Sequence, residues 1–100
     1  NVLGAGHGQN IARQIGVRAG VSHDVPAYTL NQVCGSGMQA IVSGMQAIRS
    51  GDAEIVIAGG VEVMSQAAFV LNNHRWGNKM GHDTLIDTLN CNKITYIIMI

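Results

Sequence analysis

A chain of 100 residues holds one small domain at most. Its 47% hydrophobic and 12% charged content excludes a disordered composition, and so few charges imply that much of its surface faces other protein. Six basic and six acidic residues cancel, which argues against nucleic acid as a partner.

The chain opens at Asn1, inside a glycine-rich stretch, so a preceding segment is expected. Residues 4–8 read Gly-Ala-Gly-His-Gly. The spacing is not GxGxxG, so a flexible entry to a helix is the better reading than a nucleotide loop. The helix should begin at Asn10, a good N-cap. Ile11, Ala12, Ile15 and Ala19 recur at helical spacing, with Gly20 as the left-handed residue after the end. Residues 22–26 form a turn, and residues 27–33 predict a strand from their β-branched and aromatic content.

The helical pattern returns over residues 36–50. Met38, Ile41, Val42, Met45 and Ile48 make one apolar face, and Gly37, Ala40, Gly44 and Ala47 make a second face of small residues. Gln39, Ser43, Gln46 and Ser50 form an uncharged polar stripe. Such a helix is expected to be buried on two sides. Gly51 ends it, with Arg49 in the last turn. Residues 53–58 predict a parallel strand covered on both faces, which completes a right-handed βαβ unit in an α/β fold. Gly59 and Gly60 turn the chain, and residues 61–83 read as a long excursion without a sustained period.

Chemistry concentrates at Asn31-Gln32-Val33-Cys34-Gly35-Ser36-Gly37, where a strand turns into a helix. Free N–H groups at a helix start attract negative charge, and the thiolate is the reactive form of cysteine. Gly35 and Gly37 let a substrate approach the sulfur and the backbone donors, which can stabilise an oxyanion. A lone cysteine in an apolar region is also a common inert core residue, and the residues alone leave both readings open. Cys34 and Cys91 have no CxxC partner, so neither a metal site nor a disulfide framework is expected, and a reducing, cytoplasmic compartment is. His7, His23, His74 and His82 have no ligand or triad spacing. No apolar run is long enough to span a bilayer, and no membrane partner is expected.

The segment 31–37 resembles the N-terminal active-site motif of the thiolases. Four more stretches resemble the family in the same order. They are Asn1-Val2-Leu3 through Arg13, Gly51-Asp52-Ala53, Ala58-Gly59-Gly60-Val61-Glu62-Val63-Met64-Ser65, and Lys79-Met80-Gly81 with Ile86-Asp87-Thr88. Acetyl-CoA acetyltransferases are the nearest variety. The resemblance implies a piece of the layered thiolase fold, with the cysteine-bearing helix buried near its centre. It implies that Cys34 accepts an acyl group from acyl-CoA or acetyl-CoA, with its own backbone N–H in the oxyanion hole. Asn31, Gly35, Ser36, Gly37 and Met64 would support it. Coenzyme A thioesters would be substrates, with no cofactor and no metal. The parent protein would be a homo-oligomer, dimer or tetramer. The family's catalytic histidine, asparagine and second cysteine have no counterpart here, so this stretch alone would be inactive; a truncated remnant serving at most as an interaction fragment is the alternative. Residues 1–89 would belong to the N-terminal domain, with the loop region starting near 65. Residues 90–100 depart from the family and end in an apolar, β-prone hexamer, as a truncated or frame-shifted coding sequence would.

Overall fold

The structure is a computed structural model and describes residues 2–4 and 6–90. Helix α1 spans Ile11–Arg18 and helix α2 spans Ser36–Ser50. A 3₁₀ turn at Met64–Gln66 leads to strand β1 at Phe69–Val70. A second 3₁₀ turn at His74–Trp76 precedes strand β2 at Ile86–Asp87. The two strands pair antiparallel, Phe69 opposite Asp87 and Val70 opposite Ile86.

The helix ends obey their sequence signals. Asn10 adopts a left-handed conformation (φ 48°), and its Oδ1 accepts from the Arg13 N–H at 3.2 Å. Asn10 also ties the helix to the following segment. Its Nδ2 donates to the Ala27 carbonyl at 2.9 Å, and the Thr29 hydroxyl donates to its Oδ1 at 3.1 Å. At the far end Gly20 (φ 86°) closes a Schellman motif, in which Gly20 N–H bonds the Val17 carbonyl and Val21 N–H bonds the Gly16 carbonyl. Gly51 (φ 81°) closes α2 in the same way, with Gly51 bonded to Ile48 and Asp52 to Ala47. The Arg13 guanidinium donates to the Val25 and His23 carbonyls and fixes the turn after α1.

The predicted strands over 27–33 and 53–58 are not formed: among the described residues neither segment belongs to a strand. A strand exists through its ladder, and these segments meet no ladder partner. The expected two-sided burial of α2 is also half realised. Its small-residue side is covered only at Gly44, which is buried against Val56, where a Cβ on Gly44 would stand 2.9 Å from the Val56 Cγ1; Ala40 and Ala47 are half-buried and Gly37 is exposed. Its Met38, Ile41, Met45 and Ile48 side is bare, with Met38 75% and Ile41 64% exposed. Residues 55–57 alternate about Val56: Ile55 and Ile57 are 85% and 83% exposed.

The expected excursion has structure of its own. The β1–β2 ladder folds it back on itself, and both the N–H and the hydroxyl of Thr88 bond the Ala68 carbonyl. Among the described residues no large side chain is fully buried. The chain exposes 8663 Å², whereas a self-contained domain of 10.6 kDa exposes about 5,500 Å². Among the described residues no helix is long and apolar enough to cross a membrane. Cys91 and the divergent tail from 91 onward lie outside the described residues.

Candidate active site

The turn before α2 is built by short-range hydrogen bonds. Asn31 Oδ1 accepts from the Val33 N–H at 2.9 Å, an Asx turn. Ser36, only 7% exposed, closes the turn from the other side. Its hydroxyl donates to the Val33 carbonyl at 2.6 Å and accepts from the Gln32 N–H at 2.9 Å. Gly35 N–H bonds the Gln32 carbonyl at 3.0 Å, and Ser36 N–H bonds the Val33 carbonyl at 3.1 Å. A Cβ on Gly35 would stand 3.3 Å from the Gln32 carbonyl oxygen, so a larger residue there would need the turn to give by a few tenths of an ångström.

Val33 carries the sharpest local feature, a φ of 49°. A β-branched residue in this region is strained and persists only where its surroundings hold it. Here the Asn31 side chain and the Ser36 hydroxyl grip its two backbone polar groups. The chain is thereby turned so that Cys34 stands exposed just before α2.

The Gly35 and Ser36 N–H groups are committed to the turn, while those of Cys34 and Gly37 meet no acceptor among the described residues. Both lie at the start of α2, where the helix dipole favours negative charge. A Cβ on Gly37 would meet nothing within 4 Å, so the space beside the cysteine is open. That space is a groove of about 600 Å³ lined by Val2, Leu3, Val33, Cys34, Ser36, Gly37, Gly60, Val61, Glu62, Met64 and Leu89.

Of the residues singled out in the sequence, Cys34, Ser36, Gly37 and Met64 therefore share one groove, although Met64 is thirty residues away. Asn31 and Gly35 do not line it; they shape the turn beneath it. None of His7, His23, His74 and His82 lines it, so no imidazole is at hand to take a proton from Cys34. Among the described residues no cluster of potential metal ligands occurs. Sequence reasoning missed Val2, Leu3 and Glu62 as parts of this site. Glu62 had a signal: it is the one charge in residues 55–65, and a charge in such a run needs partners.

Residues 1–98 match the family model described as thiolase, N-terminal domain. A probable acetyl-CoA acyltransferase of Staphylococcus epidermidis is 52% identical over 95 residues, which are 95% of this chain and 24% of that protein. One of Staphylococcus aureus is 46% identical over 89 residues, covering 89% and 23%. Among solved structures, a thiolase of Ascaris suum in complex with coenzyme A superposes with a TM-score of 0.85 at 44% identity, over 91% of this chain and 23% of that one. The Bacillus anthracis acetyl-CoA acetyltransferase gives 0.76 at 44% identity, over 80% and 20%. The chain thus spans about a quarter of the length of the curated relatives it matches.

Proposed function

The chain belongs to the thiolase family, and from that premise we propose that the protein it forms part of transfers acyl groups between coenzyme A thioesters through Cys34. The observation that carries this reading is the exposed Cys34 at the foot of α2, in a groove shared with Ser36, Gly37 and Met64. The coenzyme A complex of the similar Ascaris suum thiolase supports the substrate class.

The Cys34 thiolate attacks the thioester carbonyl carbon, and the carbonyl electron pair moves to oxygen. The N–H groups of Cys34 and Gly37 suit that developing charge. Collapse breaks the bond between carbon and the coenzyme A sulfur, which leaves and takes up the proton lost from Cys34. The α-carbon of a second acetyl-CoA, deprotonated by a base, then attacks the acyl carbon. A carbon–carbon bond forms, Cys34 leaves, and acetoacetyl-CoA results; the reverse sequence is thiolysis. Carbon deprotonation needs a base; no histidine lines the groove, and both oxygens of its one carboxylate, Glu62, are engaged by the Val2 and Leu3 N–H groups, so the 100-residue chain alone is inactive in this reading.

In the whole protein, residues 27–33 and 53–58 become parallel strands on either side of α2. The alternation of Val56 against Ile55 and Ile57 suits that place. A homo-oligomer is part of the same reading, supported by the exposed Phe69, Trp76 and Met80 of the excursion. The test is mass spectrometry of the full-length protein quenched after brief exposure to acetyl-CoA. An acetyl adduct on Cys34 is expected, absent from Cys34→Ser, whose turnover falls on the order of 10³-fold or more. An adduct mapped elsewhere, or full turnover by the serine variant, refutes the assignment.

A further inference from the structure

The groove that holds Cys34 is also lined by Val2, Leu3 and Glu62, and one carboxylate joins these distant parts of the chain. Glu62 Oε2 accepts from the Val2 N–H at 2.8 Å, and Oε1 accepts from the Leu3 N–H at 3.2 Å. The carbonyl of Val2 in turn accepts from Asn31 Nδ2 at 3.1 Å. The other end of that amide, Oδ1, holds the N–H of Val33 at 2.9 Å. Val33 is the left-handed residue on which the placement of Cys34 depends. A continuous run of hydrogen bonds therefore leads from Glu62 through Val2 and Asn31 to the residue before the cysteine.

We infer that Glu62 is a positioning residue for Cys34, acting through residues 2–3 and Asn31; its bearing on catalysis rests on the acyl-transfer reading above. Two acceptor oxygens are needed, one for each N–H, and only a carboxylate offers both. A glutamine amide satisfies one N–H and turns its own donor toward the other. Freed from the clamp, residues 2–3 no longer hold Asn31, and the strained φ of Val33 relaxes. Cys34 then drifts from the donors at the start of α2.

The experiment uses the full-length protein as wild type, Glu62→Gln, Glu62→Asp, Asn31→Ala and the double variant Glu62→Gln/Asn31→Ala. Two rates are read: single-turnover acetylation of Cys34 by acetyl-CoA, and alkylation of Cys34 by iodoacetamide, which needs no coenzyme A site. Glu62→Gln is expected to slow both about tenfold, the effect of one lost hydrogen bond to a charged group. The acetyl-CoA concentration for half-maximal rate should stay within about twofold, because the sulfur and not the thioester site is displaced. Glu62→Asp, which keeps two acceptors, should recover most of the loss. The double variant should be no slower than the slower single variant, since both cut the same run of bonds.

Unchanged alkylation and acetylation in Glu62→Gln overturn the inference, as do effects that multiply in the double variant. Should Glu62→Gln not accumulate as folded protein, Glu62→Asp and Asn31→Ala are compared by the same two rates, and equal rates to wild type in both overturn it. A wild type that is alkylated in a Glu62-dependent way but never acetylated refutes acyl transfer and leaves the positioning role standing.

Discussion

Gly44→Ala places two opposing terms on one atom. In a helix interior alanine is better than glycine by about 1 kcal/mol, so an isolated α2 would gain stability. In the folded chain the new Cβ meets the Val56 Cγ1 at 2.9 Å and its Cβ at 3.5 Å. Ordinary carbon contacts lie near 3.5–4.0 Å, so the segment or its valine must retreat by roughly 1 Å. Valine is stiff about χ1 and cannot swing aside cheaply. Overpacking of this kind costs about 1–3 kcal/mol, so the substitution should be net destabilising by up to about 2 kcal/mol. The assay is the denaturant midpoint of the full-length protein, in a cycle with Val56→Ala. Removing the valine methyls deletes the clash, so Gly44→Ala should become neutral or stabilising in the Val56→Ala background. A Gly44→Ala variant that raises stability on its own would refute the close approach of α2 to residues 53–58.

Gly37→Ala should keep or raise the denaturant midpoint, since nothing lies within 4 Å of the new methyl, yet lower acetylation of Cys34 by intruding on the groove. Equal acetylation rates in variant and wild type would count against that groove as the acyl site. Asn10→Ala removes an N-cap and leaves alanine at a φ of 48°; it should cost about 2 kcal/mol by denaturant unfolding, whereas Asn10→Gly should cost only part of that. The 100-residue chain by itself should bind a hydrophobic dye and unfold without a sharp transition, and a cooperative melt at micromolar concentration would contradict this.

Features set by neighbouring residues were readable in the sequence. Asn10, Gly20 and Gly51 bound the helices because capping is settled within a few residues. The turn at Cys34 was equally local, from Asn31 to Ser36. What depends on distant partners was not. Residues 27–33 and 53–58 have strand composition, but a strand needs a ladder. The paired segments Phe69–Val70 and Ile86–Asp87 are two residues each, too short to show a period. The left-handed Val33 contradicts its own residue type, so no propensity announces it; the bonds from Asn31 and Ser36 hold it there.

The uneven covering of α2 has a consequence for the order of folding. At Gly44 the helix can close on Val56, a partner twelve residues away in the same chain, while Met38, Ile41, Met45 and Ile48 stand exposed. Closing so short a loop costs little chain entropy, so that contact can form early and without help. For as long as the other face is bare it is open to any apolar surface, and it is a target for chaperones that hold apolar helices.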